Sequence, residues 1–338
     1  WGHSNHPKLN YEGSKELYDY IIGIGKKWVS PPYNADGWRL DVAADLGTSK
    51  EFNMQFWRDF RKAVKEANPD AIILAEHYGD PKDWLGGDQW DTVMNYDAFM
   101  EPITWFLTGM EKHSEQCSWD KYNNAGDFEA KMRYYMSRFS FESLAVAMNE
   151  LSNHDHSRFL TRTNKKVGRL HTMGPKEADT GINKNIMREA ITFQMTWIGA
   201  PTIYYGDEAG LTGWTDPDNR RTYPWGREDK DLLEYYRTLI KIHKRYRAFV
   251  YGSLDYLYMS YGIMCYGRWT EDEKIIVVIN NNDTAQEVLV PVWRIEAPNG
   301  TLFNRVVQSG EDSWDREDEL YTAEDGCIKV RCKAQGSC

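Results

Sequence analysis

Gly37-Trp38-Arg39-Leu40-Asp41 closes a short apolar run on an Arg-x-Asp pair, and two later runs stop in the same manner, at Ala75-Glu76-His77-Tyr78 and at Asn153-His154-Asp155. Between residues 35 and 206 such runs alternate with longer amphipathic stretches, the pattern of repeated βα units on a parallel sheet. Strands are expected at 35–40, 71–75, 90–95, 144–150 and 201–205, and helices at 50–67, 97–108, 127–140, 183–198 and 229–246. The first of these helices stops before Asn68-Pro69; the last places Leu232, Tyr236, Leu239, Ile242 and Tyr246 on one face. In a (β/α)8 barrel the reacting residues sit at the carboxyl ends of the strands. Asp41, Glu76 and Asp155 fall there, on the first, second and fourth runs. After Tyr251 the texture turns β-rich, as in Ile275-Ile276-Val277-Val278-Ile279 and Val288-Leu289-Val290-Pro291-Val292. The expected fold is therefore α/β barrel units over 1–249 followed by a small antiparallel β-sandwich over 250–338.

The 338 residues carry a net charge of -10 without any basic run, which argues against nucleic acid or an anionic membrane as partner. No apolar run approaches the roughly 18 residues of a membrane span. Fourteen Trp and 21 Tyr exceed what a core usually takes and suggest flat surfaces for stacking sugar rings, although most aromatic residues pack cores. The five cysteines, Cys117, Cys265, Cys327, Cys332 and Cys338, match neither a zinc pattern nor a disulfide scaffold. Reduced thiols and a cytoplasmic setting are expected, with secretion and pairing of the terminal trio as the alternative. His3, His6, His113 and His156 lack HExxH or comparable spacing, so no metal is expected.

Retaining glycoside hydrolysis needs one carboxylate to attack the anomeric carbon and one carboxylic acid to protonate the leaving oxygen, about 5–5.5 Å apart. Asp41 suits the first role and Glu76 the second, with a Glu76 pKa raised by the neighbouring carboxylate and by partial burial. Arg39, two residues before Asp41, points to the same side of the strand, where it would orient the nucleophile or form an ordinary ion pair.

These segments resemble the conserved regions of the α-amylase superfamily, glycoside hydrolase family 13. His6-Pro7-Lys8-Leu9-Asn10 resembles a signature before the fourth barrel strand in its neopullulanase, cyclomaltodextrinase and maltogenic amylase group. Gly37 to Asp41 resembles the fourth-strand motif with the nucleophile, Glu76 stands at the fifth-strand acid position, and His154-Asp155 match the seventh-strand pair. Glu76-His77-Tyr78-Gly79-Asp80, with Trp84-Leu85-Gly86-Gly87-Asp88 through Met94-Asn95-Tyr96, is similar to maltodextrin glucosidases, and Tyr204-Tyr205-Gly206-Asp207-Glu208 followed by Asp216-Pro217-Asp218-Asn219-Arg220-Arg221 narrows the match.

The resemblance implies an α-glucan hydrolase acting on α-1,4 and, as a further option, α-1,6 bonds of maltodextrins. In it Asp155 grips ring hydroxyls, His154 donates to a hydroxyl, Asp216 and Arg220 contact the next sugar, and Tyr78 stacks where relatives carry Trp. Trp84 and Trp214 are further candidate stacking platforms. The family's first three strands have no counterpart, so the chain reads as strands four to eight plus the terminal domain. On that reading the isolated chain is expected to be poorly soluble or inactive, calcium would bind only through the missing front portion, and a homodimer would form through a missing amino-terminal domain. A non-catalytic carbohydrate-binding or vestigial member is the rival reading.

Overall fold

The computed structural model describes residues 4–338. Packing divides the chain into two units, Trp1–Met94 with Tyr135–Met148, and Asn95–Tyr134 with Asn149–Cys338.

In the first unit three parallel strands lie side by side: β1 (Gly37–Leu40), β2 (Ile72–Ala75) and β3 (Thr92–Val93). The register sets Leu40 opposite Ala75 and Ala75 opposite Val93, and the ladder continues through Glu76 N–H to Leu40 O at 2.8 Å. Gly37 is required at the start of β1, because a Cβ there would meet Ile72 O at 2.1 Å. Helix α2 (Lys50–Ala67) connects β1 to β2, capped by the Ser49 hydroxyl on Phe52 N–H. It packs Phe56, Trp57, Phe60 and Val64 into a core with Leu40, Ile73, Ala75 and Val93.

Two features of this unit differ from the sequence expectation. Helix α1 (Lys15–Trp28) was not among the expected helices; Ser14 caps it by accepting from Leu17 N–H, and Tyr18, Ile21 and Ile22 lean on the α2 core. The stretch 144–150 yields strand only at Met148–Glu150. Its front belongs to a short helix, Phe141–Ala145, because the Ser140 hydroxyl takes Ser143 N–H and starts a helical turn.

β4 (Met148–Glu150) pairs with β5 (Ala200–Thr202), and in the second unit the helix Lys184–Thr196 is buried on every side from Asn185 onward. A helix so enclosed must satisfy its polar side chains internally. Gln194 donates to Asn149 O and Thr202 O, while Thr192 and Thr196 meet the hydroxyls of Tyr235 and Tyr266 at 2.8 and 2.6 Å. The carboxyl-terminal part forms antiparallel sheets: β6 (Ser253–Ser260), β7 (Ile263–Trp269) and β8 (Lys274–Asn280) as a meander, and β9 (Gln286–Pro291) against Cys327–Cys332. Alternate residues such as Val288, Val290, Ile328 and Val330 close one core with Cys265 and Val278. The five cysteines are free thiols. Among the described residues no helix is long and apolar enough to cross a membrane.

Glu189 is the exception on the buried helix. Both carboxylate oxygens are enclosed and meet no hydrogen-bond donor among the described residues, and burial raises its pKa well above the ordinary value. The folded chain therefore holds this proton where the unfolded chain releases it, so stability contributed below pH 4.5 is lost as pH rises. Urea midpoints taken from pH 5 to 8 should fall with a component of up to about 1.4 kcal/mol per pH unit, and Glu189→Gln should remove that component.

Candidate active site

Asp41 and Glu76 directly follow the paired ends Leu40 and Ala75 of β1 and β2, so strand register alone brings them side by side. Arg39, on the same side of β1 as Asp41, joins them: Nη1 is hydrogen-bonded to the Asp41 carboxylate, and Nη2 lies 3.1 Å from Glu76 Oε2. The same Nη2 stands 3.4 Å from Met94 Sδ. Glu76 also accepts Val42 N–H at 3.2 Å. That bond needs an unusual backbone, since Val42 has φ of 47° and a β-branched residue in the left-handed region costs on the order of 1–3 kcal/mol. The two carboxylates differ sharply in setting. Glu76 is 8 % exposed, whereas the Asp41 side chain is 73 % exposed.

The other sequence candidates gather in the second unit. Beyond β4, Asn153 organises a tight turn: its Oδ1 accepts both Asp155 N–H and His156 N–H at 3.0 Å, and its Nδ2 donates to Glu150. Asn219 Nδ2 holds the same turn from outside by donating to Asn153 O and His156 O. The turn presents His154 and Asp155, with His154 Nε2 3.4 Å from Asp155 Oδ2. Arg220 reaches across from its own loop. Its Nε bonds Asp216 at 2.7 Å and His154 O at 3.1 Å, and its Nη2 lies 3.8 Å from Asp155. Thus His154, Asp155, Asp216 and Arg220 form one polar cluster.

Tyr78 is half exposed. The two tryptophan platforms are corrected by burial. Trp84 stacks on Trp90 at 4.9 Å with its indole N–H on Asn53, and Trp214 is fully enclosed with its N–H on Gly174 O, so neither offers a face to a sugar. His3 lies outside the described residues. His156 is buried against Tyr96 and His113; burial, with the charge of His113 beside it, holds its pKa far below the ordinary value. Glu111, His113 and Glu115 bring ligand atoms within 4.8 Å of one another, yet Glu111 already accepts from the backbone and ring of His113, and Glu115 pairs with Arg169.

Some organising residues gave no sequence signal by type or spacing. Arg158, fully buried, donates to Asn219 O, Tyr205 O and Asp207, and so supports the Asn219 clamp on the Asp155 turn. Asn153 stands in Asn153-His154-Asp155 and Asn219 in Asp216-Pro217-Asp218-Asn219, and only the bonds above reveal that both hold the turn.

Residues 1–231 match the family model described as alpha amylase, catalytic domain. The chain belongs to this family. It is 34% identical over 290 residues to neopullulanase 2 of Thermoactinomyces vulgaris, covering 85% of this chain and 43% of that protein. It is 32% identical over 305 residues to a cyclomaltodextrinase of Thermoanaerobacter pseudethanolicus, covering 86% and 47%. Among solved structures, a debranching enzyme from Nostoc punctiforme superposes with a TM-score of 0.74 at 26% identity, over 100% of this chain and 66% of that one. The chain spans about half the length of the curated relatives it matches. Its structural neighbours are α-amylase family barrel enzymes, and the antiparallel sheets after residue 250 agree with that likeness.

Proposed function

We propose that this chain carries the catalytic residues of a retaining α-glycoside hydrolase that cleaves α-1,4 and, in branched or pullulan-type substrates, α-1,6 glucosidic bonds of maltodextrins. The single observation behind this reading is the pair of carboxylates at adjacent strand ends held by one guanidinium. Asp41, the exposed member, attacks the anomeric carbon and forms the glycosyl-enzyme. Glu76, enclosed, protonates the departing glycosidic oxygen and then takes a proton from the water that releases the sugar. Arg39 holds both groups in register. From the family resemblance we assign hydroxyl contacts to Asp155, His154, Asp216 and Arg220 and sugar stacking to Tyr78.

The relatives' names supply the substrate class. The strand–helix units of residues 1–249 are read as strands four to eight of the barrel, and residues 250–338 as the terminal β-sandwich. The reaction as proposed uses no metal or organic cofactor, the substrate being a neutral oligosaccharide. Proton NMR of maltotriose or cyclodextrin hydrolysis tests the reading, with the chain alone and with the upstream barrel strands of a relative restored. The restored protein should release the α-anomer first, with mutarotation later; initial release of the β-anomer, or absence of turnover by the restored protein, would overturn it.

A further inference from the structure

The strand register brings a third group to the Arg39 guanidinium besides the two carboxylates. Leu40, Ala75 and Val93 are partners across β1, β2 and β3, so the residues that follow them, Asp41, Glu76 and Met94, stand at three neighbouring strand ends on one level. The period of two sets their side chains on the face that also carries Arg39. Met94 is fixed in this place: its N–H bonds Ala75 O at 3.0 Å, it bridges Met148 in parallel register, and it is 2 % exposed. Its thioether meets the arginine. Arg39 Nη2 donates to Met94 Sδ at 3.4 Å while lying 3.1 Å from Glu76 Oε2, and Nη1 is hydrogen-bonded to Asp41.

We infer that Met94 is a positioning residue for the reaction: its sulfur, by holding Nη2, sets the tilt at which Arg39 presents Asp41 to the anomeric carbon. The inference rests on the hydrolase reading above and adds to it a residue that touches neither sugar nor reacting atom. The guanidinium is a planar fork with its N–H donors in fixed directions. With one N–H of Nη2 directed to Glu76 and the other to the sulfur, the plane of the fork is set, and through Nη1 so is the Asp41 carboxylate. This constraint matters because Asp41 is the open member of the pair, its side chain 73 % exposed. A thioether suits the task. As a weak, neutral acceptor it orients the cation without a further negative charge that would draw it away from the two acids.

Kinetics of maltotriose hydrolysis test the role, in the protein restored with the upstream barrel strands of a relative. Met94→Leu keeps the volume and removes the acceptor, and should lower kcat about five- to tenfold with KM and the urea midpoint unchanged. Met94→Gln supplies an amide oxygen that again accepts from Nη2, and should keep about half of the parent kcat or more. A parent-like kcat in Met94→Leu, a loss carried by KM or accompanied by a lower midpoint, or equal losses in the Leu and Gln variants would reduce Met94 to a packing residue and overturn the inference, leaving the hydrolase reading intact. Absence of turnover by the restored parent would overturn that reading and the role of Met94 with it.

Discussion

In the protein restored with its upstream barrel strands, Asp41→Asn should lower turnover of maltotriose by about four or more powers of ten, a loss typical for removal of a covalent nucleophile, with KM little altered. The amide keeps the shape but lacks the lone-pair charge that attacks the anomeric carbon, and Arg39 is left with Glu76 as its one carboxylate of the pair. Glu76→Gln should behave differently in a way that separates the two roles. With α-glucosyl fluoride, whose leaving group needs no proton, the first step survives and the second lacks its base. Intact-mass spectrometry of Glu76→Gln should then show one added hexosyl group, and peptide mapping should place it on Asp41. Asp41→Asn should show none. A label on any other carboxylate would remove Asp41 from the nucleophile role.

How far this was legible in the sequence depends on the range of the interaction. Arg39, Asp41 and Glu76 could be read because two strand ends and a period of two fix their side and level, and the ladder from Glu76 N–H to Leu40 O realises that geometry. The helices at 50–67 and 229–246 were legible from spacing and caps, and the structure places them at Lys50–Ala67 and Lys230–Arg245. Local hydrogen-bond competition was harder to see. Ser140 turned the front of an expected strand into helix, and Val42 adopts a backbone that its β-branched side chain disfavours. Trp84 failed as a platform because its indole N–H finds Asn53, 31 positions away, and its face finds Trp90. The Arg158 and Asn219 bonds behind Asp155 were illegible because each links residues 47 to 66 positions apart, and no pattern of residue types announces such partners.

Arg158 carries that frame, and its removal is expected to give the largest loss of stability. Its guanidinium is fully buried, 2.8 Å from Asp207, with further donations to Tyr205 O and Asn219 O. Burial raises the Asp207 pKa and the Arg158 charge opposes that rise. Arg158→Met would leave a buried carboxylate without its cation, a change that costs about 3–5 kcal/mol. The sign with pH follows directly. Without Arg158 the folded Asp207 holds its proton more tightly, so the variant should be closest to wild type near pH 4 and lose ground as pH rises toward 7. Urea midpoints at pH 4.5 and 7 measure this; a deficit independent of pH would mean that Asp207 is not the group left exposed to the low dielectric. Adding Asp207→Asn to Arg158→Met should restore stability at pH 7, because the uncompensated charge is gone. It should not restore hydrolysis in the same proportion, because Asn219 O and Tyr205 O still lack their donor and the turn that presents Asp155 is held less firmly. Recovery of stability without recovery of kcat would thus separate the ion pair's part in folding from its part in holding the turn that carries Asp155.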